Sequence, residues 1–165
     1  MVMAKKRNPS KKVLKKILAT SDRQKRLKII KALARITNNW TNYVLLEIIS
    51  DPCENIRDFI ISELGRRKNL DLDLIYNKLT TPPWFVKSSC LRLLGIKKDL
   101  QSVKYIRALI EDPNADVRIT AAQTLGEIGG EESLALLARL IQDKNHFVKA
   151  SAEKAMEKVS HLKFS

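Results

Sequence analysis

Residues 102–130, SVKYIRALIEDPNADVRITAAQTLGEIGG, and residues 133–161, SLALLARLIQDKNHFVKASAEKAMEKVSH, are one pattern written twice at a constant offset of 31. Val103/Leu134, Ile106/Leu137, Leu109/Leu140, Ile110/Ile141, Asp112/Asp143, Asn114/Asn145, Val117/Val148, Arg118/Lys149, Ala121/Ala152, Leu125/Met156 and Ile128/Val159 fall in register. Self-similarity at such a period marks stacked repeats, each too small to bury its own apolar face. The frame also runs backward. Asp51-Pro52, Thr81-Pro82 and Asp112-Pro113 recur at offsets of 30 and 31, as do Gly65, Gly95 and Gly126.

On each side of the turn, apolar residues recur at helical spacing, so each unit reads as two antiparallel helices, A and B. Proline stands where the first N–H groups of a new helix have no intrahelical acceptor to lose. The expected fold is all-α, an α-solenoid of about five antiparallel helix pairs. A flexible basic arm over residues 1–9 precedes one domain over residues 10–165, with units near 10–40, 41–70, 71–101, 102–132 and 133–165. In the first unit Ser10 is expected to cap a helix Lys11–Ala19 that buries Val13, Leu14, Ile17 and Leu18. Ser21-x-x-Gln24 spells a capping box for a second helix, Asp22–Thr37, that buries Leu27, Ile30, Leu33 and Ala34.

Cysteines number two. Cys53 lies in a predicted turn and Cys90 at the small-residue position shared with Ala121 and Ala152, so neither a disulfide nor a metal site is expected. A reduced, cytoplasmic chain follows. No apolar run approaches a membrane span, and lysines interrupt Val13–Leu18, so no secretory signal is expected.

Charge is polarised. Residues 1–40 hold thirteen Lys/Arg and one acid, Asp22, whereas residues 41–165 are nearly balanced, although the whole chain carries +13. Such asymmetry points to an acidic partner, protein or nucleic acid. The candidate binding residues are Lys28, Lys31, Arg35, Arg66 and Arg92 along the exposed side of the B helices, with Lys5, Lys6, Arg7, Lys11, Lys12, Lys15 and Lys16 in the N-terminal arm and helix. The competing account assigns Arg66-Arg67-Lys68 and Lys97-Lys98 to helix C-termini, where cations meet the negative dipole end. Lys11–Ala19 would also suit an anionic membrane surface, but its apolar residues are expected to seal the core.

The unit "helix, Asp-Pro, x3, Val-Arg, x2, Ala, x3, Leu-Gly-x-Ile-Gly" resembles the HEAT repeats, in particular the short HEAT-like repeats of phycobilisome lyases. The resemblance implies a right-handed superhelical stack with B helices lining a concave face. It also implies a ladder between units, made by a turn Asp and an Arg six residues later: Asp51/Arg57, Asp112/Arg118 and Asp143/Lys149. The third unit departs from this with Thr81/Lys87.

Catalysis has little support in the residues. His146 and His161 are the two histidines. No His-Glu pair stands like those which bind iron in the HEAT-like deoxyhypusine hydroxylases. Nor is there a Cys/His cluster, a phosphate loop or a nucleophile beside a base. No metal or cofactor is expected. Trp40, Trp84 and Phe85 are read as packing residues rather than the aromatics of a HEAT-like DNA glycosylase. The chain is therefore expected to be a monomeric, non-catalytic scaffold that binds an acidic protein through its concave face and basic N-terminal half. Nucleic-acid binding is the alternative, with glycosylase or phycobilin lyase activity behind it.

Overall fold

The computed structural model describes the backbone of residues 9–80 and 83–162 and the side chains of residues 12–80 and 83–160. Ten α-helices and two short 3-10 turns account for it, with no strand among the described residues. The fold is an all-α solenoid of helix pairs. The chain divides into two compact units, Met1–Leu70 and Asp71–Ser165.

The first unit holds α1 (Pro9–Leu18), α2 (Arg23–Ala34), α3 (Asn39–Ile48) and α4 (Glu54–Arg66). Its core is formed by Ile17, Ile30, Ala34, Val44, Leu45, Leu46, Ile48, Ile49, Ile56, Ile60, Ile61 and Leu64. Each fully buried aliphatic side chain stabilises by ~1.5–3 kcal/mol. Helix starts are set by capping chemistry. Asp22, not Ser21, caps α2, its carboxylate accepting from the N–H groups of Gln24 and Lys25 at 2.8 and 3.1 Å. Asn38 and Thr41 form a capping box on α3. The predicted burial of Leu18, Leu27 and Leu33 is also corrected: Leu18 is exposed, and the other two are half-buried along the edge of α2. The expected Ser10 cap and the arm lie outside the described side chains.

The second unit holds α5 (Asp73–Lys78), α6 (Trp84–Lys97), α7 (Val103–Ile106), α8 (Ala115–Ile128), α9 (Glu131–Leu140) and α10 (His146–Leu162). Helix α8 packs between α6 and α10, and α9 packs on both α8 and α10. The expected A helix over residues 102–111 is realised as a single α-helical turn between two 3-10 turns, Leu100–Ser102 and Leu109–Glu111. The 31-residue echoes sit in like surroundings: Val117 and Val148 are fully buried, as are Ala121 and Ala152, and Ile106 and Leu137. At Gly126 the helices α8 and α10 approach so closely that an added Cβ would lie 2.8 Å from the Ala155 Cβ. Gly129 and Gly130 then turn the chain into α9 at φ 74° and 87°, a region glycine enters freely.

Candidate functional site

A repeated polar contact ties neighbouring helix pairs together within each compact unit. Arg26 Nε and Nη2 donate to the Asp51 carboxylate at 3.0 and 3.1 Å, while Nη1 donates to the Thr20 and Ser21 carbonyls at 2.8 and 3.1 Å. Arg118 repeats this geometry. It donates to both Asp143 oxygens at 2.7 and 3.0 Å and to the Asp112 and Pro113 carbonyls at 2.8 and 3.3 Å. Lys87 reaches Asp112 at 2.7 Å. Arg57 Nη1 donates to the Asp51 and Pro52 carbonyls, both at 2.9 Å. A ladder arginine thus braces its own turn, and the carboxylate it grips lies 25 residues ahead. The Oδ1 of each of these carboxylates also accepts the backbone N–H two residues on, from Cys53, Asn114 or Asn145. Hydrogen bonds from Arg118 hold the Asp143 carboxyl below its ordinary range against the opposing effect of burial. Lys149, the last cation of the frame, is exposed. Thr81 lies outside the described residues.

Arg26 is the ladder residue that sequence reading passed over. The signal was available, since it stands 31 positions before Arg57. Arg67 was also missed as a buried group: its Nη2 donates to the Ala34 carbonyl at 2.8 Å and its Nη1 to the Asn42 side chain.

The candidate cations divide between the units. Lys28 and Lys31 on α2 and Arg35 at its C-cap are all exposed, and the Lys31 ammonium lies 5.7 Å from the Phe59 ring centre. On α1, Lys12, Lys15 and Lys16 are exposed; the Lys11 side chain and Lys5, Lys6 and Arg7 lie outside the described residues. Arg66 is exposed but engaged by Glu63 at 2.7 Å. Arg92 belongs to the second unit, where it lines a shallow groove with Gln123 and Glu127. Glu127 in turn pairs with Lys158 at 2.6 Å, which dilutes the positive charge of that groove.

Among the described residues no group of three or more His, Cys, Asp or Glu side chains could hold a metal ion. His146 is exposed with its ring 3.9 Å from that of Phe147, and the His161 side chain lies outside the described residues. Tyr76 stacks on Tyr105 at 4.1 Å and donates to Asp99, and burial, followed by that bond, raises the Tyr76 phenol well above its usual value. Trp84 is 44% exposed and meets Phe85 edge-on, so its expected burial is corrected: it stands at the first position of α6, outside the core stripe. Trp40 is half-buried, and its buried indole N–H has no acceptor among the described residues.

The family model for HEAT repeats matches residues 72–157. Deoxyhypusine hydroxylase of Debaryomyces hansenii is 31% identical over 91 residues, which cover 53% of this chain and 29% of the enzyme. Human deoxyhypusine hydroxylase superimposes with a TM-score of 0.62 at 17% identity, over 91% of this chain and 62% of that structure. An engineered protein superimposes with a TM-score of 0.53 at 16% identity, over 90% and 78% of the two chains. The chain therefore spans under a third of the length of the curated relative it matches. These findings correct the expectation of a non-catalytic scaffold, because the sequence relative is an enzyme and the fold is shared with an enzyme. Apolar period and turn ladder assemble the stack whether or not it carries catalytic groups, so neither could have excluded catalysis.

Proposed function

Since the chain belongs to the HEAT-repeat family, we propose that it serves as an enzyme of the deoxyhypusine hydroxylase kind, holding an acidic protein substrate against the cations of its first unit. The 91-residue match to the Debaryomyces hansenii enzyme carries this proposal. The iron-binding His-Glu pairs of the HEAT-like deoxyhypusine hydroxylases have no counterpart among the described residues: His146 is exposed, and no ligand cluster surrounds it there. The residues present do not fit that metal, and no step through it is derived.

What the first unit can do is bind and orient. Lys28 and Lys31 on α2 and Arg35 at its C-cap recur at helical spacing, so their ammonium and guanidinium groups meet carboxylates of one extended or helical partner. Two copies of the chain repel through the same face, which favours a monomer. Cys53 and Cys90 are both free thiols, in keeping with a cytoplasmic setting. No helix among the described residues is long and apolar enough to cross a membrane.

Fluorescence anisotropy against a labelled acidic protein carrying one deoxyhypusine residue tests the holding role, with duplex DNA as competitor. A second arm with ferrous iron and a reductant reads the gain of one oxygen atom by mass spectrometry. Binding that weakens with salt and disappears in a Lys28→Glu/Lys31→Glu/Arg35→Glu variant supports the proposal, and oxygen gain above the protein-free control strengthens it. Absence of binding, undiminished binding by the triple variant, or preference for DNA over the acidic protein overturns it.

A further inference from the structure

The cations of α2 border an apolar line that the core does not use. Ile29 on α2 and Ile36, in the turn two residues past the helix's last residue Ala34, are 38% and 49% exposed, with Ala32 exposed between them. Ile30 and Ala34, which face inward, are buried, so these isoleucines are not the helix's packing stripe. Lys25 and Lys28 lie one turn or less before Ile29, and Arg35 adjoins Ile36, all exposed. The surface is therefore an apolar strip beside a cationic one formed by Lys28 and Arg35, with Lys25 one turn before Ile29 on the apolar line, along α2 and the turn that follows it.

From this layout we infer that the occupant of the α2 face is an acidic amphipathic helix, its apolar residues covering Ile29 and Ile36 and its carboxylates meeting Lys25, Lys28 and Arg35. The inference rests on the proposed holding role and names the class of partner. Charge complementarity selects this occupant. A second copy would bring the same cations to the face, and residues 1–8 bring Lys5, Lys6 and Arg7 and no acid. A partner helix offers apolar residues three and four apart beside acids, matching both strips at once, whereas an extended acidic chain would leave the isoleucines in water.

Titration of the full-length protein against four probes decides the matter: a Glu/Leu amphipathic peptide, a scrambled peptide of identical composition, polyglutamate, and vesicles containing anionic lipid. The amphipathic peptide is expected to bind about tenfold more tightly than its scramble, from covering two half-exposed isoleucines. Ile29→Ser/Ile36→Ser should erase that advantage while leaving polyglutamate binding unchanged. Both positions are solvent-facing, and circular dichroism verifies that the variant folds. Lys25→Glu/Lys28→Glu should weaken every acidic probe. Equal binding of the amphipathic and scrambled peptides, or tighter binding to vesicles, overturns the inference while leaving the holding role standing. Failure of every acidic probe to bind overturns both.

Discussion

Replacing Arg118 with Met removes a well-enclosed ladder contact and leaves its neighbours in place. The Arg118 and Asp143 side chains are 8% and 10% exposed, and the guanidinium makes two bonds to the carboxylate besides those to the Asp112 and Pro113 carbonyls. Met fills most of the aliphatic volume but leaves Asp143 charged, poorly hydrated and held only by the Asn145 N–H. Orphaning one member of an enclosed ion pair costs roughly 3 kcal/mol. For a unit of this size each kcal/mol moves Tm by about 4–8 °C, so a fall of roughly 12–24 °C is expected. Adding Asp143→Asn removes the stranded charge but keeps the acceptor for Asn145, and should recover part of the loss. Thermal and urea unfolding measure both variants against Arg107→Met, whose pair with Glu132 is 55% and 50% exposed and is worth under ~1 kcal/mol. The pH dependence supplies a second readout. The folded carboxyl of Asp143 is depressed, chiefly by Arg118, so its contribution is complete above the ordinary value of 3.8 and fades as pH falls through the lowered one. In Arg118→Met that acid-sensitive component should shrink. A loss no larger than that of Arg107→Met, or an unchanged acid profile, would refute the account of the ladder.

Arg26→Met should behave like Arg118→Met and unlike Lys25→Met in the same unfolding assay, because the Asp51 side chain beneath it is 1% exposed. Gly126→Ala should lower stability despite better helix propensity, since its new Cβ meets Ala155 at 2.8 Å and overpacking costs ~1–3 kcal/mol. Gly95→Ala meets nothing closer than 3.4 Å and should be neutral or stabilising by up to ~1 kcal/mol. Burial pushes the Cys90 thiol up to about 12, so at mildly alkaline pH an aromatic disulfide reagent should modify Cys53 and spare Cys90 until the protein is unfolded.

The repeat frame was legible wherever side chains answer to a fixed period. Val117 and Val148, or Ala121 and Ala152, have to occupy equivalent places because each helix pair buries the same face. The frame also pointed to Arg26 through its offset from Arg57, but the drifted apolar pattern of the first unit hid that correspondence. Helix ends were read less well. Asp22 displaced Ser21 as cap because a carboxylate one residue later accepts both free N–H groups of the first turn. The short, interrupted helix over residues 100–111 left no mark in hydrophobic spacing, which α-helical and 3-10 turns share over so few residues.

From the chain of residues alone came the helix pairs, the turns, the inward face of the regular repeats and the concentration of cations in the first forty positions. These are local properties, set by spacing and composition. Only tertiary structure decided which cations are spent on ladder carboxylates, which are engaged by a neighbouring acid, and which remain on the α2 surface beside Ile29 and Ile36. An arginine written in sequence has one charge and five donors wherever it stands; its role is settled by the carbonyls and carboxylates that folding brings within 3 Å of it.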